Sequence, residues 1–346
     1  MQNPVIAIVG IGKARSVGYH LSLHIVGNPG IMGVHQGDQQ GIGMLLLNDR
    51  DTAEKKTHVN DFIKDHLYPS AEKNKTIDCM YKVRYARLNE IFEKADIIYF
   101  CYNAYKDVLF WEPDNRMKFF PANKDATETG IVKPLLEYAG TKPVKDYLKG
   151  QIVFVTNPTL QLATYFQKET TLEPGQIVAF APENHRLMNK LRPVASTRVP
   201  ELQKYVTAGG STNIFIIGEH GSNAMMVLPD GFCVPGFYDP AIKERQLAHS
   251  VLNEVLQEGQ HIRHGFDSTG ANIAPYLAEL ISDALKGNGP GKNVFCWGVE
   301  QDGVYCALPF YNFERDLGNS QSVLRARVCQ KYLDDIVNGR CLFVYP

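Results

Sequence analysis

The chain has 346 residues, 44% of them hydrophobic, with 36 basic against 37 acidic side chains and a formal net charge of −1. Single cores stop growing near ~250–300 residues, so this length predicts two packed domains, and the charge balance offers no field for nucleic acid or an anionic membrane. The N-terminus carries no basic leader and no stretch holds ~18 uninterrupted apolar residues, which makes the expected location cytoplasmic. In chain order, residues 5 to 9 (VIAIV) are β-branched and uncharged, the pattern of a strand covered on both faces in a parallel sheet. The run ends in Gly10-Ile11-Gly12-Lys13-Ala14-Arg15-Ser16-Val17-Gly18, followed by the helical pattern YHLSLHIV. Strand, glycine turn and helix together are the context of a dinucleotide site: Gly10 permits a tight turn, and Gly12 lets a pyrophosphate approach the helix N-terminus. Gly18 stands six positions after Gly12 where three is usual, so the turn carries three extra residues. Lys13, Arg15 and Ser16 fall there, either within reach of phosphate oxygens or on a solvated loop.

The Gly-rich stretch 27–43 reads as a long surface loop. MLLLND then forms a second strand ending in Asp49. An acid at that point accepts hydrogen bonds from the adenosine ribose and repels a 2′-phosphate, which favours NAD; Arg15 and Arg50 keep NADP open. Residues 51–90 alternate charged and apolar positions at helical spacing, and ADIIYFC forms another strand. A segment dense in aromatics and turn residues follows, long enough for a lid, with Arg116 as its best-placed cation for a substrate anion and Phe110, Trp111, Phe119 and Phe120 among its rings. TGIVKPLLEYA is an amphipathic helix, and GQIVFVTNP a strand that turns at Thr156-Asn157-Pro158 into a further helix. Later, NIFIIGEHG brings an apolar strand up to His220 among glycines, where no Cβ blocks a ligand from the imidazole. Seven scattered cysteines, an odd number without a CxxC pair, read as reduced core thiols, and no cluster of Cys, His and carboxylates suggests a metal.

Three landmarks thus stand in one order: a glycine turn after the first strand, VTNP after a late strand, and GEHG about sixty residues on. Together they resemble the lactate/malate dehydrogenase superfamily. ADIIYFCYNA is similar to that family's strand before the mobile loop, STGANIAPYLAELISDALKG to its long C-terminal-domain helix, and NVFCWGVEQDGVYCALPFY to its closing hairpin. The fold implied is α/β: a doubly wound parallel-sheet NAD-binding domain over 1–158, then an α+β substrate domain over 159–346. The resemblance implies a hydride exchanged between nicotinamide and a 2-hydroxy or 2-oxo acid, in a homodimer or homotetramer. It makes His220 the proton donor and acceptor, since an imidazole titrates near working pH. Arg116 takes the part of the loop arginine, and Asn157 hydrogen-bonds the reacting oxygen or the nicotinamide ribose. Gly10, Gly12, Gly18 and Asp49 hold the cofactor, and Ser268 and Thr269 line the substrate wall or cap the helix after them.

The chain departs from the family in one region, where a D-x-x-R pattern orients the His and grips the substrate carboxylate. APENHRLMNKLRPVAS has no Asp. Two pairs keep the spacing, Glu183 with Arg186 and Asn189 with Arg192, each on one helical face. Glu183 is preferred because it retains the charge an imidazolium needs, and His185 lies between the first pair. The rival function is a non-catalytic dinucleotide-binding sensor or regulatory protein on the same fold, to which the missing Asp, the longer glycine turn and the altered lid all point. A weaker third reading is an NAD- and metal-assisted glycosidase.

Overall fold

The computed structural model describes residues 4–12, 16–33, 41–48, 50–102, 119–156, 158–173, 176–180, 215–217, 225–227, 233–235, 270–285, 296–301 and 304–309. These divide between two compact units, the first made of residues 1–110, 118–178 and 268–291 and the second of 111–117, 179–267 and 292–346.

The first unit is built on parallel strands: β1 Val5–Val9, β2 Gly43–Leu47, β3 Val83–Tyr85, β4 Ile97–Phe100 and β5 Gln151–Phe154. They lie in the order β5-β4-β1-β2-β3, and β6 (Ile177–Phe180) starts beside β5. Val9 pairs with Leu47 on one side and Phe100 on the other, and Phe100 pairs in turn with Phe154. The carboxyl ends of the four strands are thereby level. Asp96 sets the start of the ladder, its carboxylate accepting from the Val5 N–H at 2.7 Å. As the uncharged run predicts, β1 is buried from Ile6 to Val9. Under β4 and β5 lie the rings of Phe100, Phe154 and Phe166, with centroids 5.2–6.2 Å apart.

The helices of this unit are α1 Val17–Val26, α2 Pro29–Met32, α3 Ala53–Phe62, α4 Tyr68–Lys73, α5 Leu88–Lys94, α6 Phe119–Thr127, α7 Lys133–Ala139, α8 Val144–Tyr147, α9 Thr159–Thr170 and α10 Gly270–Leu285. The α2 turn corrects the expectation of a plain surface loop over 27–43. Asn28 accepts from the Gly30 and Ile31 N–H groups at 3.0 and 3.2 Å, and Ile31 and Met32 are fully buried. Phe120, read as a lid ring, is buried within α6.

Two π-helical turns, Ile63–Leu67 and Glu128–Val132, join α3 to α4 and α6 to α7. Each stands just ahead of a proline, Pro69 or Pro134. A proline inside a helix donates no N–H and its ring collides with the carbonyl four residues back. The wider turn moves that carbonyl aside: Tyr68 and Lys133 bond five residues back, to Ile63 and Glu128. The chain therefore stays helical across both prolines.

Helix α10 packs against α1 within the first unit. Its buried residues Ala274, Leu277, Ala278 and Ile281 recur at helical spacing, and so do Gly18, Leu21, Ser22, Ile25 and Val26 of α1.

In the second unit, β7 Phe215–Ile217, β8 Met225–Val227 and β9 Cys233–Pro235 form an antiparallel sheet. The expected closing hairpin is present as β10 Cys296–Gln301 and β11 Val304–Pro309, with Val299 opposite Cys306. Trp297 and Gly298 pair antiparallel with Phe180 and Ala179. Among the described residues, no helix is long and apolar enough to cross a membrane.

Candidate functional site

The order β5-β4-β1-β2-β3 reverses between β1 and β4, which opens a crevice beyond their carboxyl ends, the place where such sheets bind ligands. The glycine turn occupies that point. At Gly10 the chain leaves β1 at φ +95°, and its N–H donates to the Leu47 carbonyl at 3.0 Å. A Cβ on Gly10 would lie 2.5–2.7 Å from the backbone and Cβ of Tyr102, which follows β4. At Gly12, φ is +59°. Gly18 does what a third glycine must do: a Cβ there would stand 2.5 Å from the Gly10 carbonyl oxygen. The three extra residues in the turn have not displaced it from that contact. The structure thus brings together the three predicted glycines.

Ser16 closes the turn. Its Oγ accepts from the Tyr19 N–H at 3.1 Å as the α1 N-cap, while its O–H donates to the Ile11 carbonyl. It is a cap and not the free phosphate ligand that its position allowed. The Gly12 carbonyl is held by His58 of α3, whose ring Nε2 lies 2.9 Å away. The Ile11 and Gly12 carbonyls are therefore both engaged. Because a trans peptide points its N–H opposite to its C=O, the Gly12 N–H faces away from Ser16. The first turn of α1 carries no acidic residue to compete with an anion. A helix N-terminus without an acidic side chain in its first turn suits a diphosphate.

Around this turn, Asn48 is buried at the end of β2 and Arg50 is exposed. Tyr85, the last residue of β3, donates its hydroxyl to the Asp51 carboxylate, with the Lys56 ammonium 5.6 Å from its ring centroid. Burial first, then Asp51, pushes the Tyr85 hydroxyl up to about 12. On the β4 side, Cys101 and Tyr102 are buried, and burial raises both groups; the Tyr102 hydroxyl meets Thr127. The Cys101 thiol is accordingly inert core; Cys79 is likewise free and buried. At the end of β5, Val155 N–H, Thr156 N–H and the Thr156 hydroxyl all converge on the Phe100 carbonyl at 2.9, 3.1 and 3.1 Å. That clamp fixes where the VTNP turn begins.

Asp49, Arg116, Asn157, Glu183, Arg186, His220 and Thr269 lie outside the described residues, as do the alternative pair Asn189 and Arg192. Strand β7 does lead into the GEHG segment, ending at Ile217. Among the described residues, no group of three His, Cys, Asp or Glu side chains is placed to hold a metal ion. His58 and the Tyr85–Asp51 pair escape a linear reading, since each contact joins residues 34 or more positions apart and neither has a local pattern.

A doubly wound sheet with a glycine turn at its switch point defines a Rossmann-like α/β fold. The chain has the fold of the lactate dehydrogenases. It is similar in structure to a lactate dehydrogenase from a Medee basin deep-sea metagenome library, at 15% identity and TM-score 0.58 over 96% of this chain and 100% of the other. It is also similar to lactate dehydrogenase from Eimeria maxima, solved with NADH and oxamate, at 16% identity and TM-score 0.55 over 100% of this chain and 98% of the other. No family model and no curated protein matches the sequence.

Proposed function

We propose that the protein binds a nicotinamide dinucleotide across the Gly10–Gly12–Gly18 turn and exchanges a hydride between it and a 2-hydroxy or 2-oxo acid. The observation that carries the reading is the turn itself, set at the switch point of a sheet whose fold is that of dehydrogenases, one of them solved with NADH. When bound, the cofactor supplies the hydride donor or acceptor. The chain's own groups supply the rest. Asp49, which follows β2 in the sequence, accepts from the ribose hydroxyls and selects NAD over NADP. His220 takes the hydroxyl proton in oxidation and returns it in reduction. Glu183 orients the imidazole and Arg186 grips the substrate carboxylate; Asn189 and Arg192 are the other pair at that spacing. Arg116 polarises the carbonyl, Asn157 fixes the reacting oxygen, and Thr269 lines the substrate wall. A homodimer or homotetramer in the cytoplasm is the working form.

The test is a fluorescence titration with NADH, followed by a panel of small, branched and aromatic 2-oxo acids monitored for NADH oxidation. His220→Ala should lower turnover on the order of 10²–10⁴-fold and keep NADH affinity within a small factor. Unchanged turnover removes His220 from the mechanism. Wild-type protein that binds NADH yet oxidises it with none of the acids supports the sensor instead, and absence of NADH binding ends both.

A further inference from the structure

We propose that His58 is a positioning residue of the dinucleotide site, holding the Gly12 carbonyl out of the diphosphate's path; this rests on the cofactor reading above. The Gly12 oxygen has only lone pairs to offer, so the proton of the 2.9 Å contact belongs to His58 Nε2, in either protonation state of the ring. Helix α3 holds the donor in place. Val59 and Phe62, on its inner face, are 0% and 3% exposed, and Thr52 caps it by accepting from the Lys55 N–H at 3.3 Å. His58 itself is exposed, and its ring crosses from α3 to a turn 46 residues earlier.

The contact matters because of what it touches. Gly12 sits at φ +59°, and a glycine crosses to other backbone regions without the steric cost a side chain would impose. If the peptide that follows Gly12 turned over, its carbonyl oxygen would swing from His58 towards the crevice, and an anion there would meet a negative dipole. Ser16 prevents that rotation at the Ile11 carbonyl from within the turn. His58 prevents it at the next carbonyl from outside. Two successive carbonyls of one turn are each engaged by a side chain, which fixes both peptide planes that flank the Gly12 Cα.

The test uses the full-length chain as wild type, His58→Ala and His58→Gln, titrated with NADH by fluorescence and with ADP-ribose by displacement of NADH. Melting temperatures are taken without ligand. Loss of one hydrogen bond predicts about fivefold to tenfold weaker binding in His58→Ala. The same factor is expected for ADP-ribose, because the effect lies at the diphosphate and not at the nicotinamide. The ligand-free melting temperature should fall by at most a few degrees, as expected for loss of one exposed hydrogen bond, and His58→Gln, which can still donate, should recover most of the affinity. Equal NADH affinity in wild type and His58→Ala overturns the assignment and leaves the cofactor reading intact. So does a loss confined to NADH, or a Gln variant as weak as the Ala variant. Wild-type protein that binds neither ligand overturns the cofactor reading and this inference together.

Discussion

Gly18 shows how a single hydrogen in place of a methyl group decides the packing of strand against helix. An alanine there would set its Cβ 2.5 Å from the Gly10 carbonyl oxygen and 3.0 Å from the carbonyl carbon, both backbone atoms that a rotamer change cannot move. Either α1 shifts off β1 or the turn deforms. Overpacking of this kind costs about 1–3 kcal/mol. Gly18→Ala should therefore lower the denaturation midpoint in urea and weaken NADH binding, while a variant with unaltered stability and affinity would show that the turn has room to spare. This part of the site was legible in the sequence because strand, glycine and helix follow one another directly. The deviation in spacing was legible too, but its harmlessness was not: that Gly18 still reaches the Gly10 carbonyl depends on how the longer turn folds back. His58 had no signal at all. On a charged helix, a histidine looks like any solvated residue until its neighbour in space is known.

Elements were read more easily than their junctions. The strands followed from runs such as VIAIV and ADIIYF, whose burial is a property of composition. Helix α2 was missed although its signs were present: Asn28 at the N-cap, Pro29 in the first turn, and Gly33 past the end at φ +80°. The glycines around it outweighed them. At the edge of the sheet, Arg84 of β3 forks onto Glu90 of α5, with N–O distances of 3.0 and 2.5 Å, and Lys94 joins at 2.8 Å. These hydrogen bonds, that from Arg84 foremost, hold the Glu90 carboxyl down at about 2, against an ordinary value of 4.5. A depressed folded-state value means that the unfolded chain takes up the proton first. The stabilisation is then complete above pH 4.5 and lost as pH falls from 4.5 towards 2. The side chains of Arg84 and Lys94 are 47% and 57% exposed, so solvent screening leaves about 0.5–1 kcal/mol for the network. Glu90→Gln should melt slightly below wild type at pH 7, with the gap narrowing below pH 4.5 and closing near pH 2. A gap independent of pH would mean that the ion pairs contribute nothing to it.

Across the whole molecule, the first unit depends on a helix contributed from far down the chain. Helix α10 begins 253 positions after the start of α1, and no local signal announces that it belongs to the first unit. What the sequence did show was a helix here, through its likeness to the family's long C-terminal-domain helix. Leu277 is fully buried in this helix, which packs on α1. Truncating a buried leucine to alanine removes transfer free energy and leaves a cavity, together about 2–5 kcal/mol. The loss should reach the site, because α1 carries both Gly18 and the N-terminus that closes the glycine turn. A ligand that binds only the folded state adds about 2.7 kcal/mol at a hundred times its dissociation constant. Leu277→Ala should thus melt well below wild type without ligand and recover much of the difference in excess NADH, provided the ligand seats on the unit that α10 completes. Thermal denaturation of both proteins, with and without NADH, measures this directly. If NADH stabilises wild type and leaves Leu277→Ala where it was at saturating concentration, α10 is needed to form the site and not merely to support it.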